Sequence, residues 1–459
     1  MTAPLTPNSP PEAEAAAAVR AALPPGGLFA DQHWRISPTP FPLGAELAKE
    51  IESLGRVLLQ FYRAVNLLYR RSAEGKQPEW VARWLDQGKP AWLVDLQRHP
   101  ALKHELPRVI RPDILLTEDG FHITELDSVP GGLGLTAWLN QTYTRLAPDP
   151  LTHHAPRITP SVIGGPEGML AGFASLFGDA PRVHIVVSEE SATYRPEMEW
   201  LASQLNAAGK AVFQVQPATF DAPAPGDAVY RFFELFDVAN VPGAKRLFEL
   251  ATEKQIHITP PPRPVFEEKL LFALLWNRNL RGFWRQELGE SFLHRLQKAV
   301  PYSWIVDPTP LPPHAAIPEL NLTDWRQLAA LSQRERELIL KVSGYSETAW
   351  GARGVHLGSD LSGEQWSVAV ERALREFERT PYVLQRYHKP RLVEARWFDF
   401  ERGQPVPMPG RVRLCPYYFV AGEQDAARAK LGGVLATVCP ADKKIIHGMK
   451  DAILAPGAA

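Results

Sequence analysis

One segment, residues 109–127, limits the possible folds of this chain more than any other part of the sequence. Residues 109–117 and 121–127 are both rich in apolar side chains, and Asp119 and Gly120 lie between them. Two apolar segments around an Asp-Gly pair are typical of a β-hairpin with a tight turn. The length of that turn sets the register, and a shift of one residue sends every side chain of a strand to the opposite face.

The register decides where four charged residues of the hairpin lie. A two-residue turn would place Asp113 and Glu125 on opposite faces of the sheet. A three-residue turn, with Gly120 in the left-handed position of a bulge, pairs Asp113 with Glu125 and Arg111 with Asp127. We predict the three-residue turn, because it leaves the turn end of this face mostly apolar and gathers the charged residues at the other end.

Paired carboxylates on one face require a nearby cation, because like charges directly opposite each other destabilise a sheet. The oxygen ligands Asp113, Glu125 and Asp127 match the preference of Mg²⁺, and His122 faces the other way in the predicted register. An alternative is that Arg111 simply neutralises a solvated hairpin face. The following segment, residues 128–134, contains three glycines, which allow a backbone to approach a ligand closely and favour the metal site.

A lysine and a glycine-containing loop form the second candidate region. Residues 338–342 read as a strand that carries Lys341, and residues 355–357 read as the returning strand. The loop between them, residues 343–354, could donate backbone N–H groups to phosphate while Lys341 supplies a charge. Its glycines are Gly344, Gly351 and Gly354. A mobile surface loop is the alternative, since a single glycine-rich loop discriminates poorly.

Lys269 is a third candidate, because it precedes a helix-like segment rich in leucine. A lysine in the first turn of a helix is unfavourable with respect to the helix dipole, which suggests a functional reason for its position. A solvated lysine without a function is the alternative.

The rest of the chain provides a framework of helices and strands. Apolar residues at helical spacing predict helices over residues 44–70 and 79–96. A βαβ unit is predicted from residue 183 to residue 213, with a further strand at 229–235. Polar residues 188–191 follow its first strand, where ligands of parallel sheets bind, but a solvated helix start is the favoured interpretation of these residues. A helix with a capping box is predicted over 362–379, followed by a strand at 382–387.

Composition excludes several classes of protein. The chain has 459 residues, which suggests about three folding units. Its formal net charge of −1 provides no field for binding nucleic acid or an anionic membrane, and no apolar run is long enough to span a bilayer. The two cysteines, Cys415 and Cys439, are too few for a disulfide framework. We therefore expect a cytoplasmic protein with reduced thiols, without nucleic-acid or membrane partners.

The order of these motifs resembles the ATP-grasp superfamily in a circularly permuted arrangement, in which the metal-binding carboxylates precede the nucleotide-binding lysines. The similarity is to the synthetase domain of glutathionylspermidine synthetase in particular, which has Arg-x-Asp, then eleven residues, then Glu-x-Asn and a proline-bearing loop. Arg111, Asp113, Glu125, Asp127 and Pro130 match this pattern, with Asp127 in place of the usual asparagine. The resemblance covers residues 105–140 and 260–440.

The resemblance implies a mixed fold, α+β and α/β, in which a central βαβ domain like the pre-ATP-grasp domain accompanies a permuted ATP-grasp fold. It divides the chain into a loose N-terminal tail (1–35), a helical segment with the carboxylate hairpin (36–165), a βαβ substrate-side domain (166–262) and a nucleotide-binding part (263–459).

The resemblance also assigns roles to individual residues. It implies that Lys269 and Lys341 bind the phosphates of ATP, and that the strand ending in Gln385 and Arg386 presents a backbone edge to adenine. The glycines of the loop, which would close as a lid, complete the nucleotide site. Arg111 and Arg413 would act on the transferred phosphoryl and acyl groups, and Asp113, Glu125 and Asp127 would bind Mg²⁺.

The implied reaction is ATP-dependent ligation of a small carboxylic acid to an amine through an acyl phosphate, with release of ADP and phosphate. A non-catalytic Mg-ATP-binding regulator or scaffold is an alternative. A phosphotransferase is a third reading, for which histidine acceptors are available at His153, His154, His356 and His447. The acid, the amine and the oligomeric state cannot be read from the sequence.

Overall fold

The computed structural model describes residues 11–28, 34–146, 161–209, 211–349, 353–443, 446 and 450–459. They form a mixed α+β structure with three β-sheets. The helices are α1 (Pro11–Ala21), α2 (Ala45–Ala73), α3 (Glu79–Asp86), α4 (Ala91–Arg98), α5 (Leu133–Leu146), α6 (Gly168–Ala174), α7 (Arg195–Ala207), α8 (Ala244–Thr252), α9 (Leu270–Trp276), α10 (Arg281–Ala299) and α11 (Gly363–Arg375). None of the helices within these ranges combines the length and the apolar character needed to cross a bilayer.

The largest sheet joins the hairpin to the C-terminal strands. Its strands are β1 (Arg35–Ile36), β2 (Phe41–Pro42), β3 (Val109–Thr117), β4 (Gly120–Asp127), and later in the chain β13 (Val393–Asp399), β14 (Gln404–Ala421), β15 (Arg428–Pro440) and β16 (Ile453–Ala458). Their order is β1-β16-β15-β14-β3-β4, with β13 also beside β14 and β2 beside β16. The hairpin therefore packs edge to edge with a strand about 300 residues later in the chain.

The register of the hairpin is as predicted at the charged end and different at the turn. Arg111 pairs with Asp127 and Asp113 pairs with Glu125, which confirms the predicted pairing. The predicted three-residue turn is wrong, because Thr117 pairs with Gly120 across a two-residue turn. A bulge beside Asp113 restores the pairing by adding one residue to β4.

The second sheet is antiparallel and contains the strand of Lys341. Its order is β11-β10-β12-β9, with β9 at Ser303–Ile305, β10 at Leu338–Val342, β11 at Val355–Leu357 and β12 at Tyr382–Arg386. These bounds confirm the strands predicted at 338–342 and 355–357. Helix α11 packs beside this sheet and begins with the predicted capping box, in which Ser362 and Gln365 each bind the other's backbone N–H.

The third sheet is parallel, in the order β6-β5-β7-β8. Its strands are β5 (Arg182–Val187), β6 (Val212–Gln216), β7 (Ala228–Phe232) and β8 (His257–Thr259). Helix α7 connects β5 to β6, which confirms the predicted βαβ unit. The side chains of β5 and β7 are almost all buried, as expected for a parallel sheet covered on both faces.

Two predictions about the helices require correction. The helix predicted over 79–96 is two helices, α3 and α4, separated at Gly88, Lys89 and Pro90, because a glycine with φ of +75° and a proline interrupt the pattern. The interpretation of residues 1–35 as a loose tail is wrong for α1. Its small residues Ala13 and Ala16 are buried. Alanine favours a helix, and its short side chain lets the helix pack closely against the rest of the protein.

Candidate functional site

The hairpin carboxylates and the candidate lysines lie around one cavity of about 290 Å³, between the hairpin, the Lys341 sheet and the carboxyl end of the parallel sheet. Seven of the residues singled out from the sequence line this cavity: Arg111, Asp113, Glu125, Asp127, Lys269, Lys341 and Arg413. They come from positions more than 300 residues apart in the chain. The sheet pairing of β3 with β14 and the position of α9 bring them together.

Two arginines neutralise the carboxylates at the hairpin end. Nη2 of Arg111 lies 3.1 Å from Oδ1 of Asp113 and 2.9 Å from Oδ2 of Asp127. Nη1 of Arg413, which β14 presents next to the hairpin, lies 3.2 Å from Oδ2 of Asp113. Burial alone would lower the pKa of either guanidinium, but the carboxylates outweigh it, so the pKa of each arginine is raised. The charge that the paired carboxylates require is therefore supplied by the protein itself.

Lys269 adds a third cation to the site. It immediately precedes α9, and its Nζ lies 2.7 Å from Oε1 of Glu125 and donates a hydrogen bond of 2.9 Å to the carbonyl of Ala349. Burial lowers the pKa of this lysine, but the ion pair with Glu125, together with the nearby charges of Glu234 and Asp127, outweighs burial and raises the pKa overall. Lys269 is thus held as a charged ammonium group at the edge of the cavity.

Lys341 is buried without a carboxylate in direct contact among the described residues. Its side chain is 7% exposed, and its Nζ donates to Oε1 of Gln385 at 2.9 Å and to the carbonyl of Thr124 at 3.1 Å. Burial lowers the pKa of Lys341 to about 8, with Lys269 contributing in the same direction and Glu125 opposing it. An ammonium group held by neutral oxygens in this way is ready to bind an anion.

The adenine-presenting role expected for the strand ending in Gln385 and Arg386 is not supported by its position. Both edges of β12 are paired, with β10 on one side and β9 on the other. Gln385 instead holds Lys341, and Arg386 is exposed, with Nη2 3.9 Å from Glu319. The next residues, Tyr387 and Pro390, line the cavity. The sequence pattern identified the strand but could not show that both of its edges are occupied.

The glycines after the hairpin have a structural explanation. A Cβ at Gly131 would lie 2.3 Å from the ring of Tyr194, and one at Gly134 would lie 2.3 Å from the carbonyl of Glu197. Close packing against the start of α7 therefore requires these glycines. The loop still contributes to the site, because the carbonyl of Gly131 accepts a hydrogen bond of 3.3 Å from Arg111.

Two glutamates that were not singled out from the sequence lie in or beside the site: Glu234 lines the cavity, and Glu197 holds the glycine loop next to it. Glu197 is fully buried and accepts hydrogen bonds from the backbone N–H groups of Gly132 (2.8 Å) and Leu135 (3.0 Å). Burial raises the pKa of Glu197 to about 7, although these hydrogen bonds oppose the shift. Glu234 lines the cavity just beyond β7, and burial, aided by Glu267, raises its pKa well above the usual value. Its position at a strand's carboxyl end was the one available signal.

The loop after β10 approaches both the lysines and the parallel sheet. A Cβ at Gly344 would lie 2.7 Å from the carbonyl of Glu267, and one at Gly354 would lie 2.6 Å from the carbonyl of Thr348. Gly351 lies outside the described residues. Arg353 forms an ion pair of 3.2 Å with Glu190, one of the polar residues after β5, and Ser191 lines the cavity.

Of the four histidines named as possible phosphoryl acceptors, one lies among the residues that the structure describes. His153, His154 and His447 lie outside the described residues, and His356 lies in β11, where burial lowers its pKa. Because of the two-residue turn, His122 pairs with Leu115 and lies on the cavity face, contrary to prediction. Its ring stacks on that of His388 at 3.6 Å between centroids.

The carboxylate oxygens that line the cavity are the donors available to a magnesium ion. Within the part of the chain that the structure describes, no three His, Cys, Asp or Glu side chains are arranged to hold a metal ion. The carboxylates are paired with Arg111, Arg413 and Lys269 instead. The oxygen donors still fit Mg²⁺, which usually takes only one or two carboxylates and completes its shell with water and phosphate oxygens.

Both cysteines are unbonded to each other and buried, which confirms the expected free thiols.

Comparison with known proteins supports the fold. No protein-family model and no curated protein matches the chain. Among solved structures, the chain is similar to a glutathione synthetase-like effector from Globodera pallida, solved in its apo form, with a TM-score of 0.57, 12% identity and coverage of 99% of this chain and 100% of that one. A putative gamma-glutamylcysteine synthetase from Methylobacillus flagellatus matches with a TM-score of 0.40 and 11% identity, over 85% of this chain and 86% of that one. The chain thus has a fold like that of the synthetase-like effector over its whole length.

Proposed function

We propose that this protein is an ATP-dependent ligase that joins a small carboxylic acid to an amine through an acyl phosphate and releases ADP and phosphate. One observation carries the proposal: Arg111, Arg413, Lys269 and Lys341 converge with three carboxylates on one cavity. Phosphoryl transfer needs little covalent help from a protein and depends on alignment and on neutralisation of phosphate oxygens. This set of side chains provides those two functions.

The cations divide into two groups by position. Lys269 and Lys341, with the loop glycines Gly344, Gly351 and Gly354, would hold the phosphates of ATP. Arg111 and Arg413 lie beside Asp113, where they would bind the transferred phosphoryl group and the acyl oxygen. The present ion pairs with carboxylates would be exchanged for contacts to the more highly charged phosphates.

Asp113, Glu125 and Asp127 would hold Mg²⁺, which would neutralise the phosphate oxygens of ATP. Arg111 bridges Asp113 and Asp127, and Lys269 binds Glu125, so these side chains are held close to the cavity before the nucleotide arrives. Their charges and those of the four cations nearly balance, which lowers the cost of burying them together.

The arrangement of the chain suits a circularly permuted ATP-grasp fold. The hairpin precedes both lysines in sequence yet pairs with β14, which follows them. We extend the proposal to the division of the remaining chain into the hairpin part (36–165), a βαβ substrate-side domain (166–262) and a nucleotide-binding part (263–459). We also propose that the protein acts in the cytoplasm on small molecules.

A metabolite panel of acids and amines, screened for ADP release, tests the proposed function. Asp113→Asn and Lys341→Ala are each expected to reduce ATP turnover by more than about 100-fold, as is usual for lost charge stabilisation, while circular dichroism stays unchanged. Asp324→Asn and Lys76→Ala, at exposed ion pairs, serve as controls. Wild-type turnover in either site variant would refute the assignment, and AMP with pyrophosphate would indicate adenylation. Binding of Mg-ATP without turnover of any pair would favour the non-catalytic module.

A further inference from the structure

Ser343 connects the two lysines of the site. It directly follows β10, two residues after Lys341, and its backbone carbonyl accepts a hydrogen bond of 3.0 Å from the backbone N–H of Lys269. Its hydroxyl oxygen accepts a second one of 2.9 Å from the N–H of Leu270, the first residue of α9. Ser343 is fully buried. The end of one lysine's strand is thus bonded to the start of the other lysine's helix.

A buried ion pair holds Ser343 from the other side. The Ser343 hydroxyl donates to Oε2 of Glu268, and Oε1 of Glu268 lies 2.5 Å from Nζ of Lys89. Both charged side chains are only 1% exposed. A buried ion pair is weak evidence for stability, because desolvation offsets most of the attraction, and fixing one geometry is its better-attested use. This pair therefore requires an explanation other than stability.

Lys89 reaches this position because the turn between α3 and α4 is fitted against the segment that joins α11 to β12. A Cβ at Gly88 would lie 1.9 Å from the carbonyl of Arg379, and Gly88 has a φ of +75°. The side-chain amide of Gln87 donates to the carbonyl of Phe377 nearby. Only glycine fits such a close approach in this conformation, so the turn is specifically shaped to insert Lys89.

We propose that Ser343, Glu268 and Lys89 are positioning residues that fix the separation of Lys269 and Lys341, and hence the affinity of the site for a nucleoside triphosphate. None of the three touches the cavity of the seven site residues. The inference rests on the proposed function only in taking a polyphosphate as the ligand of the two lysines. When two ammonium groups must contact phosphates of the same ligand, the site binds that ligand more weakly if the distance between the two groups varies.

Ser72 provides a matched control for Ser343. It is also buried, and its hydroxyl accepts a hydrogen bond of 2.9 Å from the N–H of Ala82 and donates one of 2.6 Å to the carbonyl of Pro78. Ser72 lies in the helical segment and has no contact with either lysine. Ser343→Ala and Ser72→Ala therefore each remove one accepted and one donated hydrogen bond of a buried serine, at different places in the structure.

The experiment measures Mg-ATP affinity by calorimetry on the full chain. Ser343→Ala is expected to weaken binding at least tenfold and Glu268→Gln at least fivefold, whereas Ser72→Ala stays within twofold of the wild type. With an active substrate pair, KM for ATP should rise more than kcat falls. Affinities of Ser343→Ala and Glu268→Gln within twofold of that of Ser72→Ala would overturn the inference.

Hydrogen exchange separates failure of the inference from failure of the proposed function. In Ser343→Ala, amide exchange in residues 266–276 and 338–343 should be at least tenfold faster than in the wild type, and in Ser72→Ala it should be unchanged there. This measurement needs no nucleotide. If the wild type binds no Mg-ATP, the proposed function fails while the exchange data still test the connection. Unchanged exchange in Ser343→Ala would overturn the inference even if ATP binds.

Discussion

Lys341→Met is expected to stabilise the empty protein while removing nucleotide binding. Burial lowers the pKa of Lys341 to about 8 from the usual 10.5, and this difference corresponds to about 3 kcal/mol against the charged form at neutral pH. Methionine has a similar shape and no charge. Its introduction leaves Oε1 of Gln385 and the carbonyl of Thr124 without their donor, at about 1 kcal/mol each. The net expected gain is about 1 kcal/mol at pH 7.

The pH dependence of the free energy of unfolding provides a second, independent test of the prediction. Between the two pKa values of Lys341 the unfolded chain keeps a proton that the folded chain has lost, so the free energy of unfolding of the wild type rises as the pH increases from about 8 to 10.5. The methionine variant lacks this contribution. It should be the more stable protein at pH 7 and the less stable one at pH 10, where only the lost hydrogen bonds remain.

Urea denaturation of both proteins, followed by circular dichroism at pH 7 and pH 10, measures the difference directly. Calorimetry with Mg-ATP on the same samples measures the expected loss of nucleotide binding. The reasoning would be refuted by a Lys341→Met protein at least 1 kcal/mol less stable than the wild type at pH 7, or by a stability difference that is the same at both pH values.

Three further predictions concern groups that support the site. Lys89→Met leaves the buried carboxylate of Glu268 without its cation and should destabilise the protein by about 3 kcal/mol in urea denaturation, the opposite sign to Lys341→Met. Gly134→Ala places a Cβ 2.3 Å from the carbonyl of Glu197 and should lower Tm by several degrees, whereas Gly282→Ala, at a helical position with open space, should raise it slightly. Burial raises the pKa of Glu197 to about 7 from 4.5, so the folded chain binds the proton of this carboxyl more tightly than the unfolded chain does. The free energy of unfolding of the wild type should therefore fall by up to roughly 3 kcal/mol, relative to that of Glu197→Gln, as the pH rises from 4.5 to 7. Parallel pH profiles of the two proteins would contradict this.

Much of the local structure could be predicted because short-range patterns determine it. The strands at 338–342 and 355–357 are bounded by turn residues, and the capping box at Ser362 fixes the start of α11. The position of α1 could not be predicted in this way. Its alanine-rich sequence favours a helix, but its contacts with elements later in the chain, among them α5, β13 and β14, explain why it packs as one.

The candidate residues could be identified from the sequence, but most of their partners could not. The spacing of Asp113 and Glu125 indicates a shared face, yet nothing local shows that Arg413 joins them from a strand 300 residues later. Glu197 is similar, because a glutamate in a helix normally reads as a solvated residue. Its role depends on how closely the glycine loop packs against α7, which is a property of the tertiary structure.

The turn of the hairpin, which was wrongly predicted, shows how one local irregularity determines which side chains line the cavity. With a two-residue turn, an uninterrupted ladder would have sent Glu125 to the face opposite Asp113. The extra residue in β4, Thr124, changes the alternation, so that Ile123 is buried in the core while Glu125 lines the cavity. The bulge also leaves the carbonyl of Thr124 available to accept the hydrogen bond from Lys341. The same irregularity therefore sets the register of the carboxylates and links them to a lysine of the second sheet.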